Sequence, residues 1–242
     1  MITEESFIDF KCPYCGETIS FPRESAGYAQ ACPTCTESVI VPGDGSGEGR
    51  KPPLPLTTAR LVLRRFTGGD WKDLLECLAD EEVFRYMGGR PLEEEEVLRW
   101  LERDSHVRLT TPEQMFYLGI QEQEGGKLIG YLVLNFTEAA QATLDVVLNR
   151  SFQGKGYALE AVRAVLGFCF EGIRLHRVSA WCDSRNAPAC KLFEKAGLRR
   201  EGELVKSKLF NGQWVNVVCY AALEEDYLGA AAGGAGGGGS GL

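Results

Sequence analysis

The sequence predicts an α/β (α+β) protein with one mixed, mostly antiparallel sheet flanked by helices and a small cysteine module in front of it. Three observations predict this. Strand-like and helix-like segments alternate from residue 57 to about 227, the pattern of a single layered core. Short glycine turns, Gly125-Gly126 and Asn211-Gly212, join successive strand segments, and such turns make antiparallel neighbours. Composition changes sharply at both ends of this zone, with four paired cysteines before it and an almost pure Gly/Ala stretch after it.

In chain order, residues 1–42 form the cysteine module and 43–56 a Gly/Pro linker, flexible in its Gly/Ser half and stiffer in its Pro half. Arg60 to Phe66 reads as a strand. Asp70 is placed to cap a helix whose apolar positions Trp71, Leu74, Leu75 and Leu78 recur at helical spacing. Glu93 to Asp104 is a second helix, its acidic start suited to the helix dipole. Phe116–Gln121 and Lys127–Asn135 form a hairpin, and Ala142–Leu148 is a further strand. Tyr157–Phe170 is an amphipathic helix, Arg177–Cys182 a strand, and Ala187–Ala196 a helix stopped by Gly197. A final hairpin turns at Asn211-Gly212. Residues 228–242 cannot bury enough apolar surface to order themselves and are expected to be a disordered tail. No internal repeat is evident.

The 242 residues carry a net charge of -8, with 44% hydrophobic and 25% charged residues. This is the composition of a soluble globular protein, and the acidity argues against a general nucleic-acid binder. No apolar run reaches bilayer length, and Glu4, Glu5 and Asp9 stand where a signal peptide would be basic and then apolar. A cytoplasmic location is expected, and with it reduced thiols. Of nine cysteines, Cys77, Cys169, Cys182, Cys190 and Cys219 are scattered through apolar segments and read as small buried hydrophobes. His106 and His176 lack partnered motifs and read as structural.

Cys12-Pro-Tyr-Cys15 and Cys32-Pro-Thr-Cys35 are two C-x-x-C pairs separated by sixteen residues, the spacing of a four-thiolate zinc site. Each turn aims two sulfurs at one point, and two turns complete a tetrahedron around Zn²⁺. The segment resembles a zinc ribbon. A closed four-thiolate site is structural, and its binding energy would fold a fragment too small to fold alone. Residues 1–50 hold three basic side chains against eight acidic ones, so a protein partner suits the ribbon better than DNA.

The segment most informative about chemistry is Gln153-Gly-Lys-Gly-Tyr-Ala158, between the strand ending near Leu148 and the helix from Tyr157. Unpaired N–H groups at a helix start bind anions, and glycines let a phosphate approach the backbone. Lys155 adds a charge. The loop is neither a P-loop nor a G-x-G-x-x-G dinucleotide loop. It matches the Q/R-x-x-G-x-G/A coenzyme A loop of the GNAT acetyltransferase superfamily, and the chain resembles the branch that acetylates N-termini of ribosomal proteins. Leu56–Phe66, Glu82–Met87, Ser184–Leu198 and Asn211–Trp214 carry the likeness in the right order. The ribbon lies outside that pattern.

The resemblance implies that Val146, Val147 and Leu148 hold the pantetheine arm of acetyl-coenzyme A and polarise its thioester. Residues Gln153, Gly154, Lys155, Gly156, Tyr157 and Ala158 would hold the pyrophosphate. Asn186 would sit near the pantetheine or the acceptor amine, or cap the helix from Ala187. Two departures concern catalysis: Thr143 stands where many relatives carry a glutamate base, and Phe193 where many carry a tyrosine acid. Asp145 shares a strand face with Thr143 and is the candidate base, unless it only hydrogen-bonds within the sheet. The acceptor is expected to be an amine, with a protein or peptide N-terminus favoured. A small-molecule amine and a coenzyme A sensor with little turnover stay open as alternatives.

Overall fold

The computed structural model describes residues 7–43, 49–109, 115–137, 140–210 and 212–234. Two antiparallel hairpins begin it: β1 (Phe7–Lys11) with β2 (Thr18–Pro22), and β3 (Ala29–Ala31) with β4 (Ser38–Ile40). Each cysteine pair turns the chain beside a hairpin, and the two turns are built alike. Cys12 N–H donates to Glu17 O and Gly16 N–H to Cys12 O; Cys32 N–H donates to Glu37 O and Thr36 N–H to Cys32 O, all at 2.9 Å. Gly16 and Thr36 occupy equivalent left-handed positions, at φ 76° and 62°. The ribbon is thus a short repeated unit, visible once its hydrogen bonds are seen.

The ribbon does not hang free. Strand side chains alternate, so Val39 and Val41 enter the ribbon's own cluster with Phe10 and Ile19, while Ile40 enters the main core with Leu109 and Phe116. Ile40 also pairs with Arg50 as an isolated β-bridge, and Glu37 forms an ion pair with Arg108 at 3.1 Å. Pro53 lies so close to Gly172 that a Cβ there would meet its ring at 3.0 Å. Much of the segment expected to be a linker is therefore laid against the body of the protein.

That body is an eight-stranded sheet. Its strands are β5 (Leu56–Thr57), β6 (Leu61–Arg64), β7 (Met115–Glu122), β8 (Leu128–Phe136), β9 (Gln141–Leu148), β10 (Arg177–Asp183), β11 (Arg199–Phe210) and β12 (Gln213–Leu223). The order is β11-β12-β10-β9-β8-β7-β6-β5, antiparallel throughout except between β9 and β10. The β11–β12 turn contains Gly212 at φ 77°; Asn211 lies outside the described residues. β8 is buried from Leu128 to Leu134, as its unbroken apolar run requires when helices cover both faces.

One face carries α1 (Trp71–Leu78), the short α2 (Glu81–Phe84) and α3 (Glu94–Ser105), packed on Leu128, Tyr131, Val133 and Val147. The other carries α4 (Tyr157–Gly167), a π-helical turn (Phe168–Gly172) and α5 (Ala187–Ala196), packed on Leu132, Leu134, Leu144 and Leu148. Each fully buried leucine in these layers contributes about 1.5–3 kcal/mol. Asp70 precedes α1 as expected but makes no cap bond to α1 itself, closing instead a capping box with Thr67 on the 3₁₀ turn that leads into it. Its carboxylate also takes the Arg64 guanidinium at 2.8 Å through both oxygens, and the Thr67 N–H. The last helix, α6 (Glu224–Gly234), runs on past residue 228, where the sequence placed the start of a structureless tail. Its acidic first turn suits a helix start, Ala230–Ala232 are strong helix formers, and Tyr227 packs on Phe170 with tilted rings whose centroids are 5.1 Å apart.

Candidate functional site

The sheet parts between β9 and β10. Pairing there covers only Arg177 with Gln141, Val178 with Ala142 and Ser179 with Thr143. Beyond that, β12 holds β10 along its whole length and β8 holds β9 as far as Leu148, so the two halves of the sheet diverge. The opening is a cleft of about 1280 Å³. Val146, Val147 and Leu148 line it, presenting a backbone edge that β10 no longer pairs.

The Gln153–Ala158 loop closes one end of the cleft, and several contacts fix its path. Buried Asn149 accepts the Ser151 N–H and donates to Glu76 Oε1, both at 2.9 Å. Gln153 Nε2 donates to Leu148 O at 3.0 Å, tying the loop to the strand end. Gly154 and Gly156 sit at φ 72° and 82°, which only glycine adopts without strain. The first helical donor to find a carbonyl is Glu160 N–H, on Gly156 O at 3.1 Å. Among the described residues the N–H groups of 154–159 have no backbone acceptor, and they cluster at the α4 start. Farther along, Arg60 clamps this end from the bend just before β6. It donates to Glu160 Oε2 at 2.7 Å and Lys155 O at 3.1 Å, and stacks 4.4 Å above the Tyr157 ring. Tyr157 O–H donates to Glu122. Against the cost of burial, Thr58 and Arg60 hold the Glu160 carboxyl below its ordinary range.

Of the expected loop residues, Gln153, Gly154, Gly156, Tyr157 and Ala158 line the cleft. Lys155 does not; its ammonium sits 5.2 Å from the Phe152 ring centroid. Arg150, Lys191 and Lys195 line the cleft and supply positive charge instead. Asn186 lines it while its Oδ1 accepts the Ala189 N–H at 3.2 Å, so it is the helix cap whatever else it does. Phe193 also reaches the cleft, buried against Tyr220.

Asp145 lies on the cleft floor, on the sheet face that carries Tyr117, Tyr131 and Val133. Its carboxyl reaches solvent, but the surrounding walls remove enough water to raise its pKa, and Lys208 opposes that rise. Thr143, two residues earlier, is outside the cleft, in the stretch where β9 is still zipped to β10. The two candidate catalytic residues share a face but not a site. Two other carboxylates at the cleft, Glu82 and Asp183, are engaged by Arg85 at 3.2 Å and Arg185 at 2.6 Å. The rim is apolar, with Met87, Met115, Trp181 and Leu204 all 40–52% exposed.

Cys12, Cys15, Cys32 and Cys35 form a second cluster, with all four Sγ atoms within 4.8 Å of one another. The Cys12–Cys35 and Cys15–Cys32 sulfurs are 3.7 and 3.9 Å apart, and all four cysteines are free thiols. Zn–S bonds of about 2.3 Å in a tetrahedron put sulfurs about 3.8 Å apart, so these residues fit a Zn²⁺ ion. Against burial, backbone N–H groups of Cys35 and Thr34 bring the Cys32 thiol down to about 7.

Three features were not found from the sequence. Arg60 and Glu160 lie a hundred residues apart, and only the fold joins them. Tyr131 sits inside the continuous apolar run of β8, where periodicity says nothing about which side chain faces a cavity. Trp181 reads in the sequence as an ordinary strand residue. A register for the β8–β9 pair would have placed Tyr131 beside Asp145.

A family model described as "Acetyltransferase (GNAT) domain" matches residues 60–199. The chain is 30% identical to the uncharacterized N-acetyltransferase YnaD of Bacillus subtilis (strain 168), over 71% of this chain and 98% of that one. It is 24% identical to a spermidine N(1)-acetyltransferase of Vibrio cholerae, over 70% of this chain and 96% of that one. A solved structure of a putative ribosomal-protein-serine acetyltransferase from Vibrio cholerae shares the fold, with a TM-score of 0.59 at 22% identity. That match covers 71% of this chain and 98% of that one.

Proposed function

The chain belongs to the GNAT acetyltransferase family, and from that premise we propose that it moves the acetyl group of acetyl-coenzyme A to the α-amine of a protein or peptide N-terminus. The N–H groups of residues 154–159 would bind the pyrophosphate, with Arg150, Lys191 and Lys195 adding positive charge to the cleft of an otherwise acidic protein. The pantetheine arm would lie in the parting between β9 and β10, and the free backbone edge at Val146–Leu148 would polarise the thioester carbonyl. Asp145 would take the proton from the attacking amine.

The observation that carries the choice of acceptor is the charge of the cleft. Among the described residues lining it, Asp145 is the carboxylate that no guanidinium engages. One such carboxylate suits a single amine, whereas a polyamine brings several ammonium groups that each need a partner. The apolar rim suits a polypeptide. An α-amine, with a pKa of about 7.7–8.0, is also far more often neutral at pH 7 than a side-chain-type amine near 10.4. The polyamine reading rests on the 24% likeness to a spermidine acetyltransferase. Thiol release with spermidine and with peptides beginning Ala or Ser separates them. A higher kcat/KM on the peptides is expected; a preference for spermidine reverses the assignment.

In the same reading Cys12, Cys15, Cys32 and Cys35 would hold a structural Zn²⁺. The ribbon's packing onto its own chain through Ile40 and Glu37 supports a first role within this molecule, with its outer face left to any protein partner. No helix among the described residues is long and apolar enough to cross a membrane.

Removing the clamp on the loop tests the cofactor end. Arg60→Ala frees Lys155 O and the Tyr157 ring and removes the guanidinium from Glu160, which keeps the Thr58 hydroxyl and the residue-60 N–H. The Arg60 side chain is 44% exposed, so solvent screens part of the loss. KM for acetyl-coenzyme A is expected to rise about 5- to 30-fold with little change in kcat, as for the loss of about 1–2 kcal/mol. Steady-state kinetics at varied acetyl-coenzyme A reads it.

A further inference from the structure

The sheet face that carries Asp145 also carries Lys208. Asp145 and Thr143 share that face, Thr143 pairs with Ser179, and Ser179, Trp181 and Asp183 alternate onto the same side. Asp183 pairs with Val217, Val217 shares a face with Val215, and Val215 pairs with Lys208. Packing agrees with this register. Phe210, two residues beyond Lys208, lies 3.2 Å from where a Cβ on Gly88 would stand, in the segment after α2. Lys208 lines the cleft with its ammonium 5.9 Å from the Phe210 ring centroid, and it forms no ion pair or hydrogen bond among the described residues.

The other cations lining the cleft are placed differently. Arg85 is paired with Glu82. Lys191 and Lys195 stand on α5, which covers the opposite face, and Arg150 lies in the turn that leads to the glycine loop. Lys208 is thus set apart from the pyrophosphate end and faces the two cleft-floor carboxylates. Its charge opposes the desolvation that raises the Asp145 pKa, and it joins Arg185 in holding the Asp183 carboxyl below its ordinary range.

Resting on the peptide acetyltransferase reading, we infer that Lys208 selects the acceptor: it binds a carboxylate on the second residue of the peptide whose α-amine meets Asp145. Strand spacing sets the reach. β10 and β12 stand between β9 and β11, so three spacings of about 4.8 Å put the two backbones at least roughly 14 Å apart. The lysine stem covers part of that span. Two residues of extended peptide, at about 3.3–3.6 Å each, cover the rest. The same ammonium repels a basic second residue and the further charges of a polyamine, so selection works by repulsion as well as attraction. Lys208 is exposed, and solvent keeps the effect moderate.

The test is thiol release at saturating acetyl-coenzyme A with three peptides that differ only at the second residue, beginning Ser-Glu, Ser-Ala and Ser-Lys, and with spermidine. Wild-type kcat/KM should fall in that order, by about 5- to 20-fold from Ser-Glu to Ser-Lys, and the spread should narrow at high salt. K208M should bring the three peptides together, and K208E should reverse their order. Calorimetric coenzyme A affinity should stay within about twofold in both variants. Equal use of the three peptides by wild type, or a Ser-Glu preference that survives K208E, overturns the inference and leaves the acetyltransferase reading standing. Lost coenzyme A affinity in K208M with an equal loss on every peptide also overturns it, because Lys208 would then hold the cofactor. A wild-type preference for spermidine, or no thiol release with any acceptor, overturns the peptide reading and the inference with it.

Discussion

Replacing Asp145 by asparagine lowers kcat by about 10²- to 10⁴-fold, the usual contribution of a general base. Asparagine keeps the size of the side chain, and no hydrogen bond to the Asp145 carboxylate is lost among the described residues, so the fold and coenzyme A affinity are expected to survive. The pH profile gives a second readout. Partial desolvation by the cleft walls raises the Asp145 pKa, with Lys208 opposing, so the base form is complete only above the ordinary carboxylate range. The acidic limb of kcat/KM should therefore begin at a higher pH than an unperturbed aspartate would give, and D145N should abolish the Asp145 part of it. Full turnover by D145N would reduce Asp145 to a sheet residue, and water would then have to carry the amine proton.

Stripping metal from the cysteine cluster has the largest expected effect on stability. Structural zinc in small domains contributes roughly 10–16 kcal/mol of apparent binding energy at pH 7, which becomes folding energy for the ribbon. Its remaining apolar cluster is six buried residues, two of them Cys12 and Cys32, too few to hold it without metal. Cys32→Ser, or a strong chelator, should abolish a one-to-one zinc content and make residues 7–43 sensitive to protease. The damage should spread. Val39 and Val41 belong to the ribbon and Ile40 to the main core, so melting β4 withdraws an isoleucine from the acetyltransferase core. Loss of an Ile side chain there costs about 2–5 kcal/mol, and the melting temperature of the main domain should fall too. Metal analysis with differential scanning calorimetry reads both effects. A metal-free chain with an intact, protease-resistant ribbon would end the zinc assignment.

Local geometry was legible in the sequence where it depends on neighbours along the chain. The glycine loop, the two C-x-x-C turns, the Gly126 and Gly212 turns and the Gly197 stop are each fixed by a few consecutive residues, and all but the metal itself are seen as geometry. What was not legible depends on register and on distant partners. Thr143 and Asp145 look equivalent by alternation, yet the sheet parts between them, so that only Asp145 meets the cleft. Lys155 looks like a phosphate ligand, but Arg60 holds its carbonyl and Phe152 underlies its ammonium. Asp70 looks like a cap of the helix from Trp71, but the half-buried Arg64 engages both of its carboxylate oxygens. The ribbon looks like a separate module, because alternation within three residues of β4 does not reveal that a second core lies on its other side.

The most direct measurement of the central claim follows both products at once. The purified full chain is incubated with acetyl-coenzyme A and a peptide beginning with Ala or Ser, then free thiol and peptide mass are recorded together. One free thiol is expected for each acetyl group gained, with the acetyl on the peptide α-amine and none on a peptide whose N-terminus is already blocked. Coenzyme A binding without any thiol release or acetylated amine, across those peptides and spermidine, would contradict it.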